Sequence, residues 1–335
     1  MTSPTFTTGS AVVAVDARTR QFRDAVLTAA GSPEVLSLPA SPNVVLVESR
    51  PGHERPAGSV PVTRGVTREA DGTVVIESAG GSGYRQRWDV AGDTVRVESQ
   101  WHPSAQHSLA ARALPVRFRA LRGQVLLHHP VLWWGALQGL APLHVSVLDL
   151  HGTVVALAGP GGVGKTSLVT REVAAGARAT CDNLALSDGE VMYGLREPLR
   201  IPADIAGNAA SGPRAAHGRR EVPWATRVPA LHPDLLVVVR RDGDAARLRT
   251  LDRDAAQRAL VAGTMCAGEL TRFWPLAAVL ALATGRGPVQ PPVAETARVL
   301  VERVPCHELQ LGPTSGHRLG ALLASLTGTA TEAPR

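Results

Sequence analysis

The sequence predicts an α/β fold, with a larger domain over residues 141–328 and a smaller β-rich domain over residues 1–105. Three observations support this prediction. The apolar run 153–158 leads through a glycine-rich turn into a helical pattern, which is a strand–turn–helix unit. The run Leu235–Val239 is wholly apolar, as is typical of a central strand. Short β-branched runs separated by turn residues fill the first 105 residues.

The N-terminal region predicts strands joined by tight turns. Val12–Val15 and Val44–Val47 are short β-branched runs, and a helix is expected between them over 21–30. Asp71-Gly72 separates two alternating segments, which is a strong hairpin signal, and 84–98 repeats the pattern. These segments predict an antiparallel meander with one buried face, interpreted as a recognition or cap domain.

Residues 106–140 are expected to form a helical connector, and residues 329–335 a flexible tail. The adjacent histidines His128 and His129 lie within the connector. Neighbouring residues on a helix face different directions, so the pair is interpreted as structural and not as a metal site.

The glycine-rich turn carries the chemistry. Residues 159–166 read G-x-x-x-x-G-K-T, a spacing that lets backbone N–H groups surround a phosphate while lysine reaches the β- and γ-phosphates. The threonine hydroxyl can ligate Mg²⁺, and the following helix presents its positive end. The pattern predicts a P-loop nucleotide-binding domain that uses ATP and Mg²⁺. The expected nucleotide-binding residues are Gly159, Gly161, Gly162, Val163, Gly164, Lys165, Thr166 and Ser167.

Composition strengthens this interpretation. Lys165 is the only lysine in a chain that has 35 Lys and Arg residues, so every other basic residue is arginine. A compact ammonium group therefore persists at the one position where a phosphate clamp needs it.

A phosphate loop needs an acidic partner for the metal or for the attacking hydroxyl. The apolar strand 235–239 ends in Arg240-Arg241 and offers no acid. Asp182, which follows the short strand 177–181, is the better candidate. It is expected to help hold Mg²⁺ with Thr166 and to orient or deprotonate the acceptor, its pKa being influenced by His144.

The remaining chain supplies further elements. A hairpin is expected through 187–190, helices over 252–262 and 270–284, and a last strand over 299–304. Residues 203–230 show little periodicity and are interpreted as a functional or disordered loop. Its arginines are candidates for clamping the transferred phosphate or an acidic substrate, namely Arg214, Arg219 and Arg220.

The order of these features resembles the catalytic domain of the HPr serine kinase/phosphorylase family and its smaller relatives. The matching stretch runs from His144 through the loop, one helix and a short strand to an acid at Asp182, ending near Tyr193. The resemblance implies an HPr kinase-like fold, with His144 and Asp182 together at the γ-phosphate and Asp182 accepting the proton of a substrate hydroxyl. It also makes a homo-oligomer reasonable.

Several positions depart from that family. Asn183 stands where a second acid is usual, Ser167 replaces a glutamate, and the downstream glycine-rich signature is not evident. The first 105 residues do not resemble the N-terminal part of the bacterial HPr enzymes. The resemblance is therefore to a divergent member that phosphorylates another hydroxyl, on a peptide or a small biosynthetic molecule.

Charge and composition indicate which partners to expect. The formal net charge is +6, but the arginines are scattered and aromatic residues make up 4%, so nucleic acid is not expected as a partner. No apolar run has the length of a membrane span, and no secretory leader is visible, so no membrane partner is expected. Three widely spaced cysteines favour a reducing, cytoplasmic location.

Two functions remain open on the sequence. The first is an ATP-dependent kinase that acts on a hydroxyl. The second is a P-loop ATPase or nucleotide-binding switch without a phosphoacceptor, which Asn183 favours. A nucleic-acid enzyme ranks below both, because helicase-type motifs are not found downstream.

Overall fold

The computed structural model describes residues 3–32, 41–49, 58–202, 213–215, 218–222, 224, 226–242, 245–312 and 318–328. The predicted tail and residues 203–212 of the predicted loop lie outside this set. The described residues form a mixed α/β fold with several sheets, so the predicted α/β class is confirmed. None of the helices among them is both long enough and apolar enough to span a membrane.

The strands are β1 (Thr5–Thr8), β2 (Ala11–Asp16), β3 (Val44–Glu48), β4 (Val60–Thr63), β5 (Val66–Arg68), β6 (Val74–Ile76), β7 (Tyr84–Ala91), β8 (Thr94–Trp101), β9 (Ala141–Leu143), β10 (Ser146–Leu150), β11 (Thr153–Ala158), β12 (Arg178–Cys181), β13 (Ala185–Ser187), β14 (Met192–Gly194), β15 (Leu199–Pro202), β16 (Arg219–Val222), β17 (Ala230–Leu231), β18 (Leu235–Arg240), β19 (Arg247–Thr250) and β20 (Cys306–Gln310). The α-helices are α1 (Arg20–Ala29), α2 (Ala105–Ala113), α3 (Pro115–Gly123), α4 (His129–Leu137), α5 (Lys165–Ala174), α6 (Arg253–Met265), α7 (Phe273–Thr284), α8 (Val293–Arg303) and α9 (Leu319–Gly328), with a π-helical turn at Gln124–His128.

The first eight strands form one sheet in the order β1-β2-β3-β8-β7-β6-β5-β4. The strands from β4 to β8 pair as the predicted antiparallel meander. In contrast, β2, β3 and β8 run parallel, and α1 makes the crossover between β2 and β3. The expected helix over 21–30 is therefore the connection that a parallel pair requires.

The apolar face of this sheet is covered by helices from distant parts of the chain. Its buried side chains form a single cluster with residues of α4 and of α7. Within that cluster Trp88 of β7 meets Trp133 of α4 edge to face, with ring centroids 5.8 Å apart. The adjacent histidines His128 and His129 are both buried, and the imidazole Nε2 of His128 lies 3.2 Å from the backbone oxygen of Arg196.

A second sheet has the order β12-β10-β11-β18-β20-β19. Side chains alternate between its two faces, as the pleat requires. Val155 and Leu157 join Leu168 of α5 on one face, while Ala156 and Ala158 pack with α6 and α8 on the other. The run Leu235–Val239 lies inside this sheet between β11 and β20, as its composition predicts.

One predicted strand is wrong. Residues 299–303 belong to α8, Val304 is its C-cap, and the strand follows at Cys306–Gln310. The β-branched run around Val299 suggested a strand, but Ala297, Leu300 and Val301 share one helical face that is buried in the core. Arg298 also pairs with Glu295 one turn earlier, at 2.6 Å, which supports the helix.

Two smaller sheets complete the fold. Strands β17, β14, β13 and β9 form one, and the hairpin predicted through 187–190 is its β13–β14 pair. Strands β15 and β16 form the other, with Arg219 opposite Pro202 and Arg220 opposite Ile201. Strand β16 lies within the predicted loop over 203–230, so this part of the loop is β structure.

Candidate active site

Strand directions in the six-stranded sheet bring three separate segments to one edge. Strand β10 is antiparallel to both β11 and β12. The start of β10 therefore lies beside the carboxyl ends of the other two strands. His144 precedes β10, the glycine-rich loop follows β11, and Asp182 follows β12, so all three meet at this edge.

The loop conformation depends on its glycines. Gly159 has φ of +134°, and a Cβ there would lie 2.6 Å from the backbone oxygen of Val239. Only glycine fits this close approach. Gly161 and Gly162 are exposed, and a Cβ at either would meet nothing within 4 Å, so the tip of the loop borders open space. Gly164, at φ of +111°, leads into α5 without any side chain capping the helix.

Lys165 is buried although it is charged, with 5% of its surface exposed. Its Nζ donates hydrogen bonds to the backbone oxygens of Gly159, at 2.7 Å, and Pro160, at 3.2 Å. Burial lowers the pKa of the ammonium group to about 8, and the negative charges of Asp182 and Glu269 oppose this shift. The ammonium group thus faces the loop and is held by carbonyls that a phosphate can replace.

Asp182 is buried to a similar degree, with 7% of its surface exposed. Burial raises the pKa of its carboxyl to about 7, while a hydrogen bond with the Thr166 side chain lowers it. The Ser146 hydroxyl donates to the backbone oxygen of Asp182 at 2.6 Å, which fixes the residue at the start of β10. The structure therefore places Asp182 beside the threonine and the lysine of the loop.

His144 is held by the end of α6. Its backbone N–H donates to the hydroxyl oxygen of Thr264, and its Nδ1 lies 3.1 Å from the backbone oxygen of Gly263. Because a carbonyl only accepts, Nδ1 carries the proton and Nε2 keeps a lone pair. Burial, and next the positive charge of Lys165, lower the pKa of the imidazole to about 4, so it is neutral at pH 7.

A neutral imidazole contributes no charge to the pKa of Asp182. Asn183 lies close enough to His144 for a side-chain hydrogen bond to raise the imidazole pKa slightly. Its amide nitrogen is nevertheless buried without a well-formed hydrogen bond to any described residue. Asn183 occupies the position where the resembled family has a second acid. Its side-chain amide is therefore an unsatisfied hydrogen-bond donor beside His144.

The other predicted site residues divide into two groups. Val163 is buried in the core beneath the loop, and Ser167 is half-buried in the first turn of α5. Among the three arginines, Arg219 lies near enough to Lys165 for its charge to lower the lysine pKa. Arg214 and Arg220 instead pair with each other through an antiparallel backbone bridge.

Sequence reasoning missed a buried ion pair beside this edge. Arg200 pairs with Glu197 at 3.0 Å and with Glu269 at 3.7 Å. The negative charge of Glu197 raises the pKa of Asp182, and the positive charge of Arg200 lowers it. No motif marks these residues, since Glu197 and Arg200 follow a short hairpin and Glu269 lies in a turn after α6.

The oxygen atoms at this edge are of the type that Mg²⁺ prefers. The Thr166 hydroxyl lies close enough to the Asp182 carboxyl to lower its pKa. Among the described residues, no group of three or more His, Cys, Asp or Glu side chains forms a complete metal site. Mg²⁺ usually takes one or two protein ligands together with water and phosphate oxygens, so the two groups fit such an ion.

Comparison with known proteins finds no family model and no curated protein that matches the chain. Among solved structures, the chain is similar to the HPr(Ser) kinase/phosphatase from Coxiella burnetii, with 10% identity and a TM-score of 0.27. The match covers 57% of this chain and 90% of that one. A similarity at this TM-score carries no argument, so the resemblance to that family rests on the motif residues.

Proposed function

We propose that the protein is an ATP-dependent kinase that transfers the γ-phosphate to a hydroxyl group of a peptide or of a small biosynthetic molecule. One observation carries the proposal: the carboxyl of Asp182 is buried beside Thr166 and Lys165, at the edge where the glycine-rich loop ends. A lone acid facing a phosphate loop is the arrangement that phosphoryl transfer to a hydroxyl requires.

ATP fits the loop in two respects. The backbone at Gly161 and Gly162 borders open space, and the uncapped N-terminus of α5 offers its free N–H groups. Lys165 would exchange its bonds to the Gly159 and Pro160 oxygens for phosphate oxygens. Mg²⁺, held by Thr166 and Asp182, would neutralise phosphate charge.

Asp182 is suited to accept the proton of the acceptor hydroxyl. A general base works best when its pKa lies near the operating pH, and burial has brought this carboxyl to about 7. Neutral His144 would present its Nε2 lone pair at the same edge and would orient the acceptor without adding charge. Arg219, near Lys165, would add positive charge where the phosphate moves.

A second candidate is a P-loop ATPase or nucleotide switch that has no phosphoacceptor. Asn183 favours it, because this residue removes the second carboxylate and leaves an amide donor unsatisfied. Such a protein would release free phosphate slowly or keep its nucleotide bound.

Incubation of the full chain with γ-labelled ATP, Mg²⁺ and an extract of the source cells separates the two functions. We expect label in a discrete acceptor, and no such label with Asp182→Asn. Label only in free phosphate would support the ATPase, and absence of both ATP binding and turnover would refute the nucleotide site. The variant Arg171→Met, which changes a basic residue at the far end of α5, is the control.

A further inference from the structure

Helix α2 lies on the surface without burying any of its residues. Large apolar side chains are exposed on it and next to it: Leu109 is 68% exposed, Leu114 is 49% exposed and Trp101 is 41% exposed. The Trp101 ring packs on Phe118 of α3 at a centroid distance of 5.9 Å. Leu114 directly precedes α3, and its backbone oxygen accepts the N–H of Phe118 at 2.9 Å. Exposed apolar groups that cluster in this way mark an interaction surface.

The two helices of this surface, α2 and α3, contain basic residues but no acidic ones. The sequence between Glu98 and Asp149 contains no Asp or Glu. Arg112 and Arg117 are exposed there, and neither forms an ion pair with any residue that the structure describes. We define the Trp101 surface as Trp101, Leu109, Arg112, Leu114 and Arg117. It combines apolar side chains with two arginines that have no ion-pair partner among the described residues.

A cleft of about 310 Å³ opens beside Trp101. Trp101 and Tyr84 line it from the sheet, and their rings lie 6.4 Å apart. Gln21 and Gln100 also line it, and their side-chain amides form no hydrogen bond within the described part of the chain. Two charged residues, Arg18 and Glu48, line it as well, and the Glu48 carboxylate there already accepts the N–H groups at the start of α1. An aromatic wall with amide groups suits an extended peptide, whose backbone needs both donors and acceptors.

Helix α3 connects this surface to the candidate active site. Arg119 forms an ion pair with Glu221 at 3.4 Å and donates a hydrogen bond to the backbone oxygen of Arg214. Glu221 belongs to β16, the strand that begins with Arg219, whose charge acts on Lys165. A chain bound along α3 would therefore lead toward the phosphate loop.

We propose that the Trp101 surface docks an acidic segment of the substrate, with apolar side chains between its carboxylates, so that the substrate is a peptide. The inference rests on the proposed kinase function and specifies its substrate class. A bilayer would not fill the narrow cleft, and a nucleic acid would gain little from the two exposed leucines. An acidic, partly apolar peptide complements the arginines, the leucines and the cleft together.

Selection of short random peptides displayed on phage against the full-length chain tests the proposal. We expect the enriched peptides to contain Asp and Glu together with Leu, Ile or Phe. The double variant Arg112→Glu, Arg117→Glu should weaken binding of a fluorescein-labelled selected peptide by about tenfold or more in anisotropy titrations. The matched control is Arg64→Glu with Arg68→Glu. It reverses the charge of two exposed arginines at the β4–β5 edge of the sheet and should change binding less than about twofold.

Leu114→Ser should also weaken binding, whereas Leu282→Ser, at a leucine of α7 that is more exposed than Leu114, should not. Enrichment of basic peptides, equal loss in the control variants, or tighter binding of anionic vesicles or a single-stranded oligonucleotide would overturn the proposal. ATP affinity is measured in the same variants. Normal ATP binding without selected peptides refutes the docking surface alone, whereas peptide binding without ATP binding refutes the kinase and leaves the surface.

Discussion

Two helix N-termini in this molecule occupy the same topological position and have opposite surroundings. Helix α1 begins after β2, which is parallel to its neighbour β3, and α5 begins after β11, which is parallel to β18. Both helices therefore start at the carboxyl edge of a sheet, where α/β proteins commonly bind ligands. Each presents N–H groups that the helix itself cannot satisfy.

At α1 the protein's own side chains accept an N–H group of the first turn and the N–H groups of the two residues before the helix. The Thr19 hydroxyl accepts the N–H of Phe22, and the Glu48 carboxylate accepts the N–H groups of Arg18, at 2.9 Å, and Thr19, at 2.6 Å. At α5 no side chain caps the helix, and Gly164 leads into it. The comparison teaches that topology alone does not make an anion site. The α5 terminus differs from the α1 terminus in two ways: no side chain caps it, although the Asp182 carboxyl is nearby, and the buried ammonium group of Lys165 lies beside it.

The largest effect is expected at the acid that faces the α5 terminus. Asp182→Asn keeps the size of the side chain but removes the base, so phosphate transfer should fall about 10³-fold or more. ATP affinity should stay near that of the parent protein, because lysine and the loop amides hold the phosphates. Label transfer from γ-labelled ATP and nucleotide titration measure the two effects. An equal loss of ATP binding would mean that Asp182 acts only by holding the metal and not as the base.

The pH dependence of the free energy of unfolding is a second test of Asp182, and the same measurement shows whether the Asp182→Asn variant folds. The Asp182 carboxyl titrates near 7 in the folded protein and near its ordinary 3.8 in the unfolded chain. Between these values the folded state holds the extra proton, so the free energy of unfolding falls as pH rises. Asp182→Asn removes this loss and should be more stable than the parent at pH 8, with a smaller difference at pH 4. Denaturant unfolding at both pH values measures it.

The second effect concerns the buried cation of the α5 terminus. Lys165→Met keeps an unbranched chain in the same space but has no charge, and should reduce turnover by about 10²-fold or more. Arg171→Met, in the last turn of the same helix, removes a charge away from the loop and should leave turnover within about twofold. If turnover is unchanged in Lys165→Met, the loop is not a nucleotide site. The two helix termini would then not differ in function.

The parts of this site that local sequence could predict are those that lie in one continuous stretch. The spacing of the loop motif and the acid after a short strand pointed to the loop and to Asp182, whereas His144 was selected mainly through the family resemblance. The strand directions bring all three to one edge. Long-range partners gave no such signal. Arg200 meets Glu269 across 69 positions of the chain, and only the folded core brings them together.

The fold shows the same limit. The hairpins around Asp71 and Asp188 follow from local turn chemistry, and both were predictable. The run at Val299 has a β-branched composition but folds as a helix, because burial of one helical face outweighs local propensity. The contribution of α7 to the core of the eight-stranded sheet depends on tertiary packing, which periodicity does not reveal.

Variants of Glu197 and Arg200 are expected to have a smaller effect, and they test how this ion pair sets the pKa of Asp182. Glu197 raises the pKa of Asp182, and Arg200 lowers it. If Asp182 is the base, transfer rises with pH through about 7 in the parent. Glu197→Gln should move the profile to lower pH, and Arg200→Gln to higher pH, each by about one pH unit. The double variant, which removes both charges of the Glu197–Arg200 pair, should return near the parent profile, and shifts in the same direction for both single variants would contradict this role.

The smallest effect concerns the carboxylate that fills the α1 terminus. Glu48→Ala leaves two N–H groups without their acceptor and should lower the free energy of unfolding by about 1–2 kcal/mol, while Glu48→Gln, which keeps an oxygen, should lose less. Neither variant should alter ATP affinity, because α1 belongs to the other sheet. Inorganic phosphate should restore part of the stability of Glu48→Ala and leave the parent unchanged, because the vacated N–H groups resemble those at α5. If phosphate stabilises Glu48→Ala no more than the parent in denaturant unfolding, an uncapped helix end is not enough, and the buried ammonium group of Lys165 is what distinguishes the two termini.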